Sequence, residues 1–192
     1  MVPAKALRPA VLAGALLSPL LPLHLYFAGN WYSFFHDFSL AMACGIIAYW
    51  YFLLALILSA RIPWLDRLYG HDRVMVAHGH IAGTAVLFAL AHVGLKLNYI
   101  DFSKTQVHLG IAALAIFLTV GILTHLFMID GPLHTIKLLK RLRNAGGAIT
   151  AFDYSRIKLF HNLVSAAIVL IVMHILLAWS TGETAARLGQ IG

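Results

Sequence analysis

Charge is what this chain has least of. Only 11% of its 192 residues are Asp, Glu, Lys or Arg, and only seven are acidic. Soluble domains carry roughly 25% charged residues, so this sequence cannot cover a water-facing surface. That excludes a soluble enzyme, a nucleic-acid binder and a disordered segment. Cysteine is nearly absent too: Cys44 stands alone, which excludes an internal disulfide framework and a cysteine-based metal cluster. The alternating apolar and polar strands of a membrane β-barrel are missing, as are internal repeats and low-complexity tracts. What the chain has instead is apolar sequence, 61% of it, and eleven histidines.

A bilayer span needs about 20 consecutive apolar residues. Five stretches without Lys, Arg, Asp or Glu meet that length, at about 9–28, 38–60, 74–95, 105–129 and 159–182. Lipid offers no partner for open backbone groups, so each stretch is expected to be helical. The first is too long for a signal-peptide core and has no convincing cleavage site, so it reads as a retained helix, kinked at Pro19 and Pro22. The expectation is an all-α membrane protein, one domain built as a bundle of five transmembrane helices, in contact with the lipid bilayer.

Lys and Arg set its orientation. Lys5, Arg8, Arg61, Arg67, Arg73, Lys137, Lys140, Arg141, Arg143, Arg156 and Lys158 fall on one side, against Lys96, Lys104 and Arg187 on the other. This places the N-terminus and the loop 131–156 in the cytoplasm and the protein in the plasma (inner) membrane. Within that loop Leu133–Arg143 reads as a short basic amphipathic helix, resting on anionic headgroups or docking an acidic partner.

An ionisable residue inside a membrane is a functional hypothesis by default. The third stretch carries His78 and His92, the fifth His161 and His174. His78 lies five residues past Arg73 and His161 five past Arg156, so the two enter at matching depth from the same side. His92 and His174 lie roughly 20 Å further along their helices and match in depth as well. Two histidine pairs, one above the other, are what two stacked bis-histidine b-type haems require. The 14-residue step from His78 to His92 returns to nearly one helix face. The 13-residue step from His161 to His174 misses by more than a third of a turn, which a tilt, a local bulge or offset haems must absorb. Spacing alone leaves open ordinary buried histidines and a non-haem metal site.

The segments DRVMVAHGHIAGTAVLFALAHVGLKL (Asp72–Leu97) and YSRIKLFHNLVSAAIVLIVMHILLAW (Tyr154–Trp179) resemble the third and fifth helices of the ferric reductase-like transmembrane domain, the superfamily of NADPH oxidases and ferric reductases. That family carries His-x13-His and His-x12-His on those helices. The resemblance covers roughly two-thirds of the chain. It implies that His78 and His161 hold an inner b-type haem and His92 and His174 an outer one. It also implies that electrons pass from a cytoplasmic flavin and NAD(P)H donor to an acceptor outside, ferric iron or oxygen. Arg73, Arg156 and Lys158 would pair with inner haem propionates and Lys96 with outer ones, or anchor the helices at the interface.

Family members usually add a sixth helix and a flavin dehydrogenase domain. This sequence stops at Gly192, just past the fifth stretch, and carries no G-x-G-x-x-G fingerprint. FAD and NAD(P)H are therefore expected only on a missing domain or a reductase partner, and the enzyme label, an oxidoreductase, depends on that donor. Gly79 follows His78 where many members have Arg, and Lys96 stands where NADPH oxidases often have a second His. The resemblance thus implies electron transfer more directly than oxygen reduction. Alternative readings are the haem subunit of a periplasmic reductase of the methionine sulfoxide reductase type, a quinol-linked cytochrome b and, in another class, a non-redox metal or proton carrier.

The other histidines are expected elsewhere. His80 points away from His78; His108 and His125 serve polar packing or the interface; His24, His36, His71 and His134 lie near helix ends or in loops. His36 or His108 would face an outside acceptor. Phe88, between the two histidine levels, is expected to pack or to shorten an electron path. Trp31, Tyr32, Trp64 and Trp179 read as an interfacial belt, and Tyr49, Trp50 and Tyr51 as mid-span packing.

Overall fold

A computed structural model describes residues 4–29, 35–127 and 154–178. The basic helix expected at Leu133–Arg143, together with most of the loop 131–156, lies outside the described residues, as do Trp31, Tyr32, His134 and Trp179. Every regular element among the described residues is helical. They are α1 (Ala4–Leu17), α2 (Leu20–Gly29), α3 (Asp37–Ser59), α4 (Pro63–Tyr69), α5 (His71–Lys96) followed by a 3-10 turn (Leu97–Tyr99), α6 (Thr105–Phe127), α7 (Tyr154–His161) and α8 (Leu163–Leu176). Among the described residues, five helical stretches are long and apolar enough to cross a membrane: Leu7–Ala28, Asp37–Ser59, His71–Tyr99, Thr105–Thr124 and Lys158–Leu176. Large apolar side chains on them face outward, Leu87 at 67% exposure and Val76 at 60% among them. Water would penalise such a surface and lipid would not.

The chain forms two compact units. One comprises Met1–Ser103 with Leu176–Gly192, the other Lys104–Ile175. In the first, α3 packs on α5; α3 buries Ala41, Ala48, Phe52 and Ala55, and α5 buries Val74 and Ala85. The positions 41, 48, 52 and 55 recur at the spacing of a coiled-coil seam. The three alanines among them let two backbones come close, which is how helices adhere without a hydrophobic drive between them.

The first apolar stretch is two helices rather than one kinked helix. Pro19 and Pro22 lack the N–H groups that would satisfy the carbonyls of Ala15 and Ser18. Local donors replace them. Ser18 Oγ donates to the Ala15 carbonyl at 2.6 Å, and the Leu21 amide reaches the Ser18 carbonyl at 3.4 Å. The break is then clamped from α3, where Trp50 Nε1 donates to Ser18 Oγ at 2.6 Å and Tyr51 Oη to the Leu16 carbonyl at 3.1 Å. Trp50 and Tyr51 are thus packing residues, as expected, with a polar task added.

In the second unit α6 buries Ala113, Phe117 and Val120, and α8 buries Ala167 and Ile168. The fifth apolar stretch is interrupted at Asn162, between α7 and α8. There the Asn162 amide bonds the Leu159 carbonyl and the Ser165 amide the Asn162 carbonyl, both three residues back. Three-residue closure winds the chain about 20° further per residue than an α-helix does. The turn lies just after His161 and narrows the angular gap to His174.

Candidate functional site

The imidazoles of His78, His92 and His174 each meet a backbone carbonyl of a neighbouring helix. His78 Nδ1 lies 2.8 Å from the Ala55 carbonyl oxygen, His92 Nδ1 2.7 Å from that of Ala41, and His174 Nδ1 2.5 Å from that of Gln106. A carbonyl only accepts, so in each ring Nδ1 carries the proton and donates it. The neutral ring then keeps its lone pair on Nε2. This is the tautomer a metal-binding histidine needs, held by the outer hydrogen bond that such histidines nearly always make.

On α3 and α5 the two contacts keep one register. From His78 to His92 is fourteen residues up α5, and from Ala55 to Ala41 fourteen back along α3. The antiparallel pair therefore presents the same seam to both rings. All three histidines are half-buried.

A glycine sits beside two of the three contacts. A Cβ on Gly45 would stand 2.8 Å from His92 Nδ1, and one on Gly110 would stand 2.9 Å from His174 Nδ1. Gly45 is four residues past Ala41 and Gly110 four past Gln106. A helical carbonyl lies next to the side chain one turn on, so a glycine there opens the oxygen to an incoming ring. His78 docks instead near the end of α3, four residues before the last, where Ser59 is exposed. Sequence reasoning found the histidines and missed Gly45 and Gly110. The available signal was Gly45 falling in the Ala41–Ala48–Ala55 stripe.

His36 makes a useful contrast. Its Nδ1 accepts a hydrogen bond from the Phe38 amide at 3.2 Å and caps α3, so its proton sits on Nε2, the opposite tautomer. His71 faces Asp66 at 3.4 Å. His80, His24 and His108 are exposed. His161 closes α7 directly before the Asn162 turn and is half-buried. The side chain of His125 lies outside the described residues. Among the described residues, no three His, Cys, Asp or Glu side chains gather in a way that would hold a bare metal ion. A bis-histidine haem asks for two.

The cations divide. Lys96 Nζ sits 4.9 Å from the centre of the Phe38 ring and 3.8 Å from Met42 Sδ, one turn past His92. Lys158 is exposed, the side chain of Arg156 lies outside the described residues, and Arg73 lines a polar cavity with Arg8 and Arg67. Phe88 packs edge-on against Tyr51, their ring centres 6.4 Å apart.

Compared with known proteins, the chain matches no family model, no curated protein and no solved structure. The resemblance to the ferric reductase-like domain rests on its two histidine spacings.

Proposed function

We propose that the chain is a membrane di-haem b cytochrome that passes electrons singly from a cytoplasmic donor to an acceptor outside. His78, His92, His161 and His174 would hold the haems, His78 with His161 and His92 with His174, as their matching depths in the sequence suggest. The observation that carries the reading is the shared docking of His92 and His174. Each donates Nδ1–H to a carbonyl, and each lies against a glycine one turn further on. A histidine placed only to satisfy a polar contact in lipid needs the carbonyl and not the fixed ring. The glycine niche and the Nδ1 bond together set the plane of the imidazole and leave Nε2 as the donor atom.

The residues present fit a b-type haem. When bound, it would supply one-electron chemistry. The protein's part is positioning and tuning. The Ala55, Ala41 and Gln106 carbonyls orient the rings and raise their basicity. Lys96, held over Phe38 one turn beyond His92, offers a positive charge to a carboxylate at that level, and Arg156 and Lys158 do so at the level of His161. Electrons would come from a reduced flavin on a further domain or a reductase partner, and ferric iron or oxygen would take them.

The test is optical and chemical. The purified chain should be red, with b-type bands that sharpen on dithionite reduction. A colourless preparation that cannot be reconstituted with haem would overturn the reading.

A further inference from the structure

Three arginines from three helices converge on one cavity at the end of the first unit where α4 meets α5. Arg8 of α1, Arg67 of α4 and Arg73 of α5 line a polar cavity of about 460 Å³ with Asp66, His71 and Asp72. A guanidinium does not lose its proton in a protein, so three fixed positive charges share this space. The two carboxylates offset them only in part. Asp66 faces His71 across 3.4 Å, and Asp72 lies in the first turn of α5, where a negative charge serves the helix end.

The position of Arg8 is built rather than incidental. Its Nε donates to the Leu68 carbonyl at 2.8 Å, and Tyr69 Oη donates to the Arg8 carbonyl. These contacts hold the start of α1 against α4, while Nε is only one of the nitrogens through which a guanidinium donates. A fork of this kind fits phosphate oxygens better than a single ammonium does.

Depth points to the source. Arg8 is the second residue of the first membrane-spanning stretch, and His71 opens the third. Trp64, in the first turn of α4, is 54% exposed, as expected of a side chain at the headgroup level. We infer that this cavity binds a phosphate-bearing anion and that in a membrane its occupant is the phosphate of an anionic phospholipid. The inference uses none of His78, His92, His161 and His174 and stands or falls apart from the haem reading.

The experiment takes the full chain in nanodiscs of phosphatidylcholine with increasing phosphatidylglycerol, reading retained lipid by native mass spectrometry and unfolding by thermal shift. Wild type should retain phosphatidylglycerol in preference to phosphatidylcholine. Arg67→Gln should weaken that retention about fivefold, the scale of one Arg at an anionic surface. Arg61→Gln removes the same charge from an exposed position that does not line the cavity and should leave retention unchanged. Arg67→Lys, which keeps the charge and loses the fork, should fall between.

A parallel arm titrates inorganic phosphate onto the chain in pure phosphatidylcholine discs. Stabilisation that disappears in Arg67→Gln would extend the site to soluble phosphate, and retention of phosphatidylglycerol without it would confine the site to lipid. The proposal is overturned if neither probe binds, if Arg67→Gln retains phosphatidylglycerol like wild type, or if Arg61→Gln loses as much as Arg67→Gln.

Discussion

The two compact units solve one problem in the same way. In the first, His92 reaches across to α3, donates to the Ala41 carbonyl and lies against Gly45; in the second, His174 reaches α6, donates to the Gln106 carbonyl and lies against Gly110. Within the first unit, by contrast, His78 makes the same bond to Ala55 near the end of α3 with no glycine beside it. The difference teaches where backbone access comes from. At Ala41 and Gln106, in the N-terminal parts of α3 and α6, the ring reaches a carbonyl whose next turn carries a glycine; at Ala55 it does so beside the exposed last turn of α3.

The largest effect expected from breaking this comparison is on cofactor content. His92→Ala or His174→Ala should remove one haem and leave the other, and His78→Ala or His161→Ala should do the reverse, because each iron takes two ligands at one depth. His80→Ala, at an exposed position, should keep both. Haem content and redox titration of the five variants decide this. The pairing fails if His78→Ala and His92→Ala lose the same haem.

The glycine niche is sharpened by a change of sign. Gly45→Ala and Gly110→Ala put a Cβ within 3 Å of an imidazole nitrogen and should cost about 1–3 kcal/mol of stability through overpacking. They should also alter the low-spin electron paramagnetic resonance signal of the outer haem. Gly83→Ala on α5, with nothing within 4 Å of its new Cβ, should instead stabilise the helix by roughly 0.5–1 kcal/mol. Thermal unfolding in detergent separates the two; equal effects at Gly45 and Gly83 would remove the niche from the account.

Smaller effects belong to the supports. Trp50→Phe deletes the indole donor to Ser18 at the α1–α2 break and should lower stability by about 1 kcal/mol, with both haems retained. Lys96→Met should cost no more than about 1 kcal/mol, the worth of an ammonium over an aromatic face, and should shift the potential of the outer haem alone. A shift of the inner haem in that variant would displace Lys96 from the His92 level.

The membrane spans were legible because lipid demands about 20 apolar residues in a helix, a rule of length and composition. All five begin within three residues of the positions read from the sequence, the largest difference being the third, at His71 rather than Val74. The division of the first stretch at Ser18–Pro19 was legible as a kink, since proline removes a donor wherever it falls. The clamp by Trp50 and Tyr51 was not, because it joins residues more than thirty positions apart.

The histidines stood out because ionisable groups are rare in such sequence. Their carbonyl partners left no trace, since a backbone oxygen is the same at every residue. Gly45 and Gly110 were visible only as two of fifteen glycines, and what distinguishes them is the ring each one faces. The tautomer of His36 is set by a local cap two residues away, whereas that of His92 is set by a carbonyl fifty-one residues distant and has no sequence signal.

On this reading the chain holds two b-type haems on His78, His92, His161 and His174. The most direct test is the ratio of haem to polypeptide in the purified full chain, from pyridine haemochrome spectra set against quantitative amino-acid analysis. The account predicts about two per chain. A ratio of one, or of none after reconstitution with haem, would contradict it.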